Sequence, residues 1–308
     1  MTLQSNIDHT TPSGLEVAHL TDTGQVRQMN QDDTGLLQEP TGLPGVDTVA
    51  IVADGIGGHR GGEVASATAI ETIIRELTRT PGAEDQAGVW SNGEIFQQAI
   101  KAANSAIRKL AQEQDLQGMG TTVTAVAASF DRAIVANVGD SRTYLLRSGE
   151  LKKLTDDHSL VAEQVRMGYL TQAEAEAHPQ RNVITRALGI APDVEADIQV
   201  VALEPGDILM LCSDGLYPVV PHEEERMILQ AYSPAVACKK LIEQANASGG
   251  PDNISVVVVR IPAGAANGAR SQPEAVSTSD ITMRGARISK TWGGFLGKLL
   301  GPIFRRKN

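Results

Sequence analysis

The sequence predicts an α+β fold in which helices cover mainly antiparallel sheets. Three observations carry that expectation. Apolar runs of strand length cluster in groups. The long helical patterns fall between those groups and do not follow every strand, which is not the rhythm of a parallel βαβ fold. Tight turns at Phe130-Asp131-Arg132 and at Arg147-Ser148-Gly149-Glu150 join successive runs too closely for crossover connections, so these runs form a meander.

Taken in order, the predicted strands are 16–21, 34–37, 48–53, 121–129, 133–138, 143–147, 197–202, 207–212 and 254–261. Each is a short run rich in Val, Ile, Thr and Ala, bounded by Gly, Asp or Pro. Apolar residues at helical spacing predict helices over 62–80, 93–114 and 234–247. Between Asp156 and Pro192 the pattern becomes polar and short, with helical pieces expected at 158–167, 171–177 and 182–187. That insertion reads as a lid or as a surface addition. Residues 1–14 read as disordered and 15–261 as one continuous domain. Residues 262–287, rich in Ala, Gly, Ser and Thr, read as a flexible linker.

The 308 residues are 41% hydrophobic and 21% charged, the balance of a soluble globular protein, and with 3% aromatics the core must be aliphatic. Net charge is −10. Residues 262–308 hold eight Lys or Arg against two Asp or Glu, a net of +6, which leaves −16 on residues 1–261. So acidic a body argues against nucleic acid as a partner. Within the tail, 288–308 sets Trp292, Phe295, Leu296, Leu299, Leu300, Ile303 and Phe304 among Lys and Arg. It is too charged to span a bilayer and suits the surface of an anionic membrane or a partner, although its glycines weaken a helix. Cys212 and Cys238 suggest no disulfide framework, and the polar N-terminus shows no secretory signal, so a cytoplasmic location is expected, with peripheral contact at the inner face of the membrane through the tail.

Two apolar strands each deliver an aspartate into a glycine turn, Asp54-Gly55 and Asp214-Gly215, and Asp252 opens a third apolar run. If the three ends converge, their charges repel unless divalent cations sit among them, so an all-oxygen site for hard metal ions is the first hypothesis. The loop Asp54-Gly-Ile-Gly-Gly-His59-Arg-Gly-Gly62 is glycine-rich but fails two nucleotide-binding patterns. Glu63 and Val64 stand where a Walker loop needs Lys and Ser or Thr, and Arg60 stands where the dinucleotide fingerprint needs its last glycine. Arg27 has the planar fork that grips two phosphate oxygens, and Asp32 is placed to orient it. Asp140, in Val138-Gly139-Asp140-Ser141-Arg142, reads by itself as a turn residue.

In this order, Arg27-x-x-Asn-Gln-Asp32, Asp54-Gly-Ile-Gly-Gly-His59, Gly118-Met-Gly-Thr-Thr122, Val138-Gly-Asp140-Ser-Arg142, Ser213-Asp214-Gly and Asp252-Asn253 resemble the metal-dependent protein phosphatases of type 2C, particularly the bacterial ones. The resemblance runs from about Thr21 to Arg260. It implies a four-layer α-β-β-α sandwich with two Mn²⁺ or Mg²⁺ ions at one edge. Asp54 would bridge both ions, the Gly55 carbonyl would bind the first, and Asp214 and Asp252 the second. Asp140, with Asp214, would hold a weaker third ion. Arg27 would bind the phosphate, and residues from Asp156 would form the variable flap. The implied activity is hydrolysis of phosphoserine and phosphothreonine in proteins, by water activated between the metals and without a phosphoenzyme. The implied partners are phosphorylated proteins and a Ser/Thr kinase whose action is reversed, with the phosphatase a monomer.

A cysteine-based phosphatase is excluded, because Pro218 and Gln244 stand six residues past Cys212 and Cys238, where that chemistry needs Arg. Two departures from the family pattern matter. Gln31 stands where Glu is usual, which removes a charge near the metals. Ile56 stands where eukaryotic members carry a histidine proposed as general acid, so His59 becomes a candidate proton donor. Two rival readings follow: a weakly active phosphatase-fold module that binds phosphoproteins, and a membrane adaptor working through its tail.

Overall fold

Period-two alternation in the central strands sorts the side chains into three buried layers, and those layers set the architecture. The computed structural model describes residues 9–38, 41, 43, 45–57, 61–79, 92–263 and 304–305. Strands His9–Thr10 (β1), Glu16–Asp22 (β2), Asp32–Gln38 (β3) and Thr48–Ile56 (β4) precede helices Gly61–Thr78 (α1) and Asn92–Glu113 (α2). The meander follows as Gly120–Thr121 (β5), Val123–Ala128 (β6), Arg132–Val138 (β7), Arg142–Arg147 (β8) and Glu150–Lys153 (β9). The insertion holds Leu160–Arg166 (α3), Gln172–Glu176 (α4) and Val183–Ile184 (β10). Asp197–Ala202 (β11), Ile208–Cys212 (β12), His222–Ala231 (α5), Pro234–Ala247 (α6) and Ile254–Arg260 (β13) complete the body, and Phe304–Arg305 (β14) pairs with β10.

One sheet runs β1-β2-β13-β12-β8-β9 and the other β11-β7-β6-β4-β3, with β5 on the end of β4. Their pairings are antiparallel. In β4, Val49, Ile51 and Ala53 pack with Ala65, Ala69, Ile73 and Leu77 of α1 and Phe96, Ile100 and Ile107 of α2. The alternate residues Ala50 and Val52 face the other sheet, against Leu209, Leu211, Val257 and Val259. That sheet's far side, including Met210, Cys212, Val256 and Val258, is covered by Leu229 of α5 and Ala237, Cys238, Leu241 and Ala245 of α6. These are the four layers the sequence implied. Strand side chains must alternate in this way, and helices spaced at i and i+4 cover each outer face.

At one edge the layer between the sheets turns polar. Thr124 and Thr143 share a hydrogen bond at 2.8 Å, Thr122 and Ser141 at 2.7 Å, and His19 Nδ1 and Thr34 at 2.7 Å. Asp54 continues the inward parity of Ala50 and Val52. The same alternation therefore carries the aspartate into this seam.

Four expectations differ from the structure. Within the segment read as disordered, His9 and Thr10 form β1, which pairs with Glu16 and Val17, and the Leu15 N–H donates to Thr11 Oγ1 at 3.0 Å. The predicted helix at 182–187 is replaced by β10, because Ile184 and Ala187 turn inward onto Ile56. Helix α5 was not predicted; its opening run of Glu223, Glu224, Glu225 and Arg226 shows no apolar stripe, although Leu229 is fully buried. Strand β9 lengthens the hairpin after Gly149. Residues 1–8 and nearly all of 264–308 lie outside the described residues, and so does the expectation of a linker and a basic tail.

Candidate metal centre

Asp54 is fixed through its backbone. Its N–H donates to Thr122 Oγ1 at 3.1 Å, and its carbonyl accepts from the Thr122 N–H at 2.9 Å and from Thr121 Oγ1 at 3.0 Å. In the β3–β4 register Asp32 lies opposite Asp54. The next residue, Gly55, donates its N–H to the Gln31 carbonyl at 3.0 Å, which also accepts from Ser66 Oγ at 2.7 Å. A Cβ on Gly55 would overlap the Gly62 carbonyl and the Gln31 carbonyl, so only glycine lets the strand pass this close to the start of α1.

Asp252 reaches the same edge from the other sheet, and Asn253 welds it there. The Asn253 amide donates to the carbonyls of Thr23 and Met29, each at 2.9 Å, and its Oδ1 accepts from the Gln31 N–H at 2.8 Å. A Cβ on Gly215 would overlap the Asn253 carbonyl, so Asp214 enters directly beside Asp252-Asn253. A Cβ on Gly24 would overlap the Asp252 carbonyl, which seats the Arg27 loop on the same turn. Arg27 Nη2 donates to Asp252 Oδ2 at 2.8 Å. The sequence expected Asp32 to orient Arg27; Asp252 also forms an ion pair with it. Asp32 opens β3 with its side chain turned into the seam beside Ser213 and Ser255.

The electrostatics mark this seam. Burial, and next the charge of Asp54, push the Asp32 carboxyl well above the usual carboxylate range; the two serine hydrogen bonds oppose the rise and Asp252 adds to it. Asp32 Oδ2 is buried with no hydrogen bond. A buried acid so crowded by others fits a nearby divalent cation, and carboxylate and carbonyl oxygens are the donors that a hard ion takes. Among the described residues, no three Asp, Glu, His or Cys side chains already stand together as a metal-gripping cluster, and Asp252 directs Oδ2 to Arg27. The residues fit the ion in chemistry and placement at one edge.

Asp140 is buried in the turn after β7, where Tyr217, three residues past Asp214, donates its hydroxyl to the Asp140 carbonyl at 3.2 Å. Gln31 lies along the glycine loop, its Nε2 donating to the Gly57 carbonyl at 3.3 Å. Ile56 packs with Ile184 and Ala187 of the insertion. His59 lies outside the described residues. The parts played by Asn253 and Ser66 escaped the sequence reading. Asn253 carried a signal, a side-chain amide directly after a candidate ligand, but the loops it joins are distant in the chain.

Comparison with known proteins agrees. The family model described as "Protein phosphatase 2C" matches residues 23–247. A serine/threonine phosphatase stp of Listeria welshimeri is 41% identical over 244 residues, covering 78% of this chain and 93% of the relative. The serine/threonine phosphatase of S. agalactiae superposes with a TM-score of 0.72 at 39% identity, covering 80% of this chain and 98% of that one. The catalytic domain of the serine threonine protein phosphatase PstP, solved in complex with two manganese ions, has a TM-score of 0.67 at 36% identity, covering 80% and 97%. With its motifs assembled at one edge of the same two-sheet sandwich, this chain belongs to the protein phosphatase 2C family.

Proposed function

We infer that this chain is a metal-dependent protein serine/threonine phosphatase, a phosphoric monoester hydrolase that uses Mn²⁺ or Mg²⁺. The observation that carries the reading is the buried carboxylate edge, in which Asp32 and Asp54 stand opposite each other and the Asp214 and Asp252 turns abut. Asp54 and the Gly55 carbonyl would hold one ion, Asp54, Asp214 and Asp252 the other, and Asp140 with Asp214 a weaker third. Bound there, the ions supply the nucleophile and the Lewis acidity for in-line attack on phosphorus. The chain's own residues do the rest. Arg27 binds the phosphoryl oxygens and is aimed by Asp252. Asn253 holds the Arg27 loop in register with the acidic edge, and Thr121 and Thr122 hold Asp54. His59 is the proposed proton donor.

The substrates are phosphorylated proteins, and a Ser/Thr kinase is the opposing enzyme. The body, 15–261, acts as a monomer in the cytoplasm, with 156–192 as its flap. The net charge of +6 on 262–308 supports contact of that segment with an anionic membrane surface; no helix among the described residues is long and apolar enough to cross a membrane. Hydrolysis of an aryl phosphate and of a phosphothreonine peptide, with Mn²⁺ and with EDTA, tests the activity. Turnover that ignores the metal would overturn the reading. Partitioning of the full chain, but not of a chain ending at Pro262, onto anionic vesicles tests the tail.

A further inference from the structure

The Asp140 turn is gripped from two sides by residues outside the six motifs. On one side Tyr217 donates its hydroxyl to the Asp140 carbonyl at 3.2 Å. On the other, the Gly139 N–H donates to His158 Nδ1 at 3.0 Å, and the His158 N–H returns a bond to the Gly139 carbonyl at 2.9 Å. Because Nδ1 accepts, the ring proton sits on Nε2, which donates to Asp197 at 3.1 Å. The two grips are joined to each other. The Arg142 guanidinium carbon lies 3.4 Å over the centre of the Tyr217 ring, and Arg142 is bidentate on Asp157, with Nη2 at 2.6 Å and Nε at 3.0 Å. Asp157 is the neighbour of His158. The contacts therefore close a ring: Asp140, Tyr217, Arg142, Asp157, His158, Gly139.

Each link has a physical reason to hold. The guanidinium over an aromatic face is a desolvated cation–π contact, and its carboxylate fork fixes the plane of the guanidinium. The ring also has an outlet. The His158 carbonyl accepts from the Thr185 N–H at 2.8 Å, which ties the turn to the flap just past β10. Tyr217 sits on the Asp214 loop, so its hydroxyl is a direct strut between the two aspartates assigned to the weaker third ion.

We propose that Tyr217 is a positioning residue that holds Asp140 relative to Asp214 for the third divalent cation, braced through Arg142, Asp157 and His158 so that the flap and that site move together. This rests on the metal reading of Asp140 given above. Tyr217 touches neither substrate nor metal in this assignment; it acts through the Asp140 backbone.

The test is isothermal titration of Mn²⁺ into the metal-stripped full chain, for wild type, Tyr217→Phe, Asp140→Asn and the double variant. Phe keeps the ring under Arg142 and removes only the strut. The expected result is loss of the weakest Mn²⁺ isotherm in Asp140→Asn and a two- to tenfold weaker one in Tyr217→Phe, about the range of a single net hydrogen bond. The double variant should match Asp140→Asn alone, since the strut has no other route to the ion. The amide NMR signals of Gly139 and Asp140 should shift in Tyr217→Phe while the melting temperature falls by no more than about 5 °C. An unchanged isotherm in Asp140→Asn overturns the third-site reading and the inference with it. A weakened Asp140→Asn beside an unaltered Tyr217→Phe overturns the inference alone, as does an additive double variant.

Discussion

At the scale of single residues, the site is a contest between carboxylates that burial and chain geometry force together. Asp32 shows the cost: burial and the Asp54 charge push its carboxyl well above the usual carboxylate range. Asp54→Asn removes that charge without changing shape, so the variant should lose turnover on an aryl phosphate with Mn²⁺ by orders of magnitude while melting in EDTA at or above the wild-type temperature. A melting temperature that falls with activity would mean that the aspartate serves the fold first. Asn253 gives the opposite pattern. It makes three hydrogen bonds to backbone groups of the 23–31 loop. Asn253→Ala should cost about 2–4 kcal/mol in urea unfolding and should also raise KM, because Arg27 rides on the freed loop. These two residues differ in how well sequence announces them. Asp54 ends an apolar run inside a glycine motif, which is a local signal. The partners of Asn253 are more than two hundred residues away, and no local pattern encodes them.

At the scale of elements, legibility followed the period of the burial. β4, β12 and β13 are buried on both faces and read as continuous apolar runs, and α1 repeats its buried Ala65, Ala69, Ile73 and Leu77 every fourth residue. Helix α5 failed that test because its inward positions include a charge. Glu225 is buried, and burial pushes its carboxyl up to about 7, with His222 working against the rise. His222 Nε2 donates to the Leu151 carbonyl at 2.8 Å, and its Nδ1 lies 3.3 Å from Glu225 Oε2. The linkage sign follows. A raised folded-state value means that the native state keeps this proton longer than the unfolded chain does. The contribution is full below the unfolded value near 4.5 and is lost as pH rises through about 7. Glu225→Gln keeps the side-chain shape and carries no charge. It should match wild type in urea unfolding at pH 5 and exceed it at pH 8 by on the order of 2 kcal/mol. A constant difference across that range would place the effect in packing.

At the scale of the whole molecule, the two sheets meet through an apolar layer at the centre and a polar seam at one end, and the site occupies the seam because every strand that enters it keeps its inward parity. Thr122, Thr124, Ser141, Thr143, Ser213 and Ser255 all lie where alternation demands a core residue, and their hydroxyls pair with one another or with Thr21, or lie beside Asp32. The sequence displayed the aspartates but disguised the seam, since Thr and Ser in a strand read equally well as outward-facing. A sandwich closed by aliphatic contacts at one end and by charge at the other should respond to metal as a unit. Mn²⁺ bound to the native edge but not to the unfolded chain adds about 2.7 kcal/mol at one hundred times its dissociation constant. For a body of this size that corresponds to a melting temperature about 5–10 °C higher in Mn²⁺ than in EDTA. Asp54→Asn, which would remove the bridge between the first two ions, should flatten that difference, whereas Tyr217→Phe should keep most of it because only the weakest ion depends on the strut. An equal metal shift in wild type and Asp54→Asn would place the stabilising ions elsewhere on this acidic body and would separate metal binding from the carboxylate edge altogether.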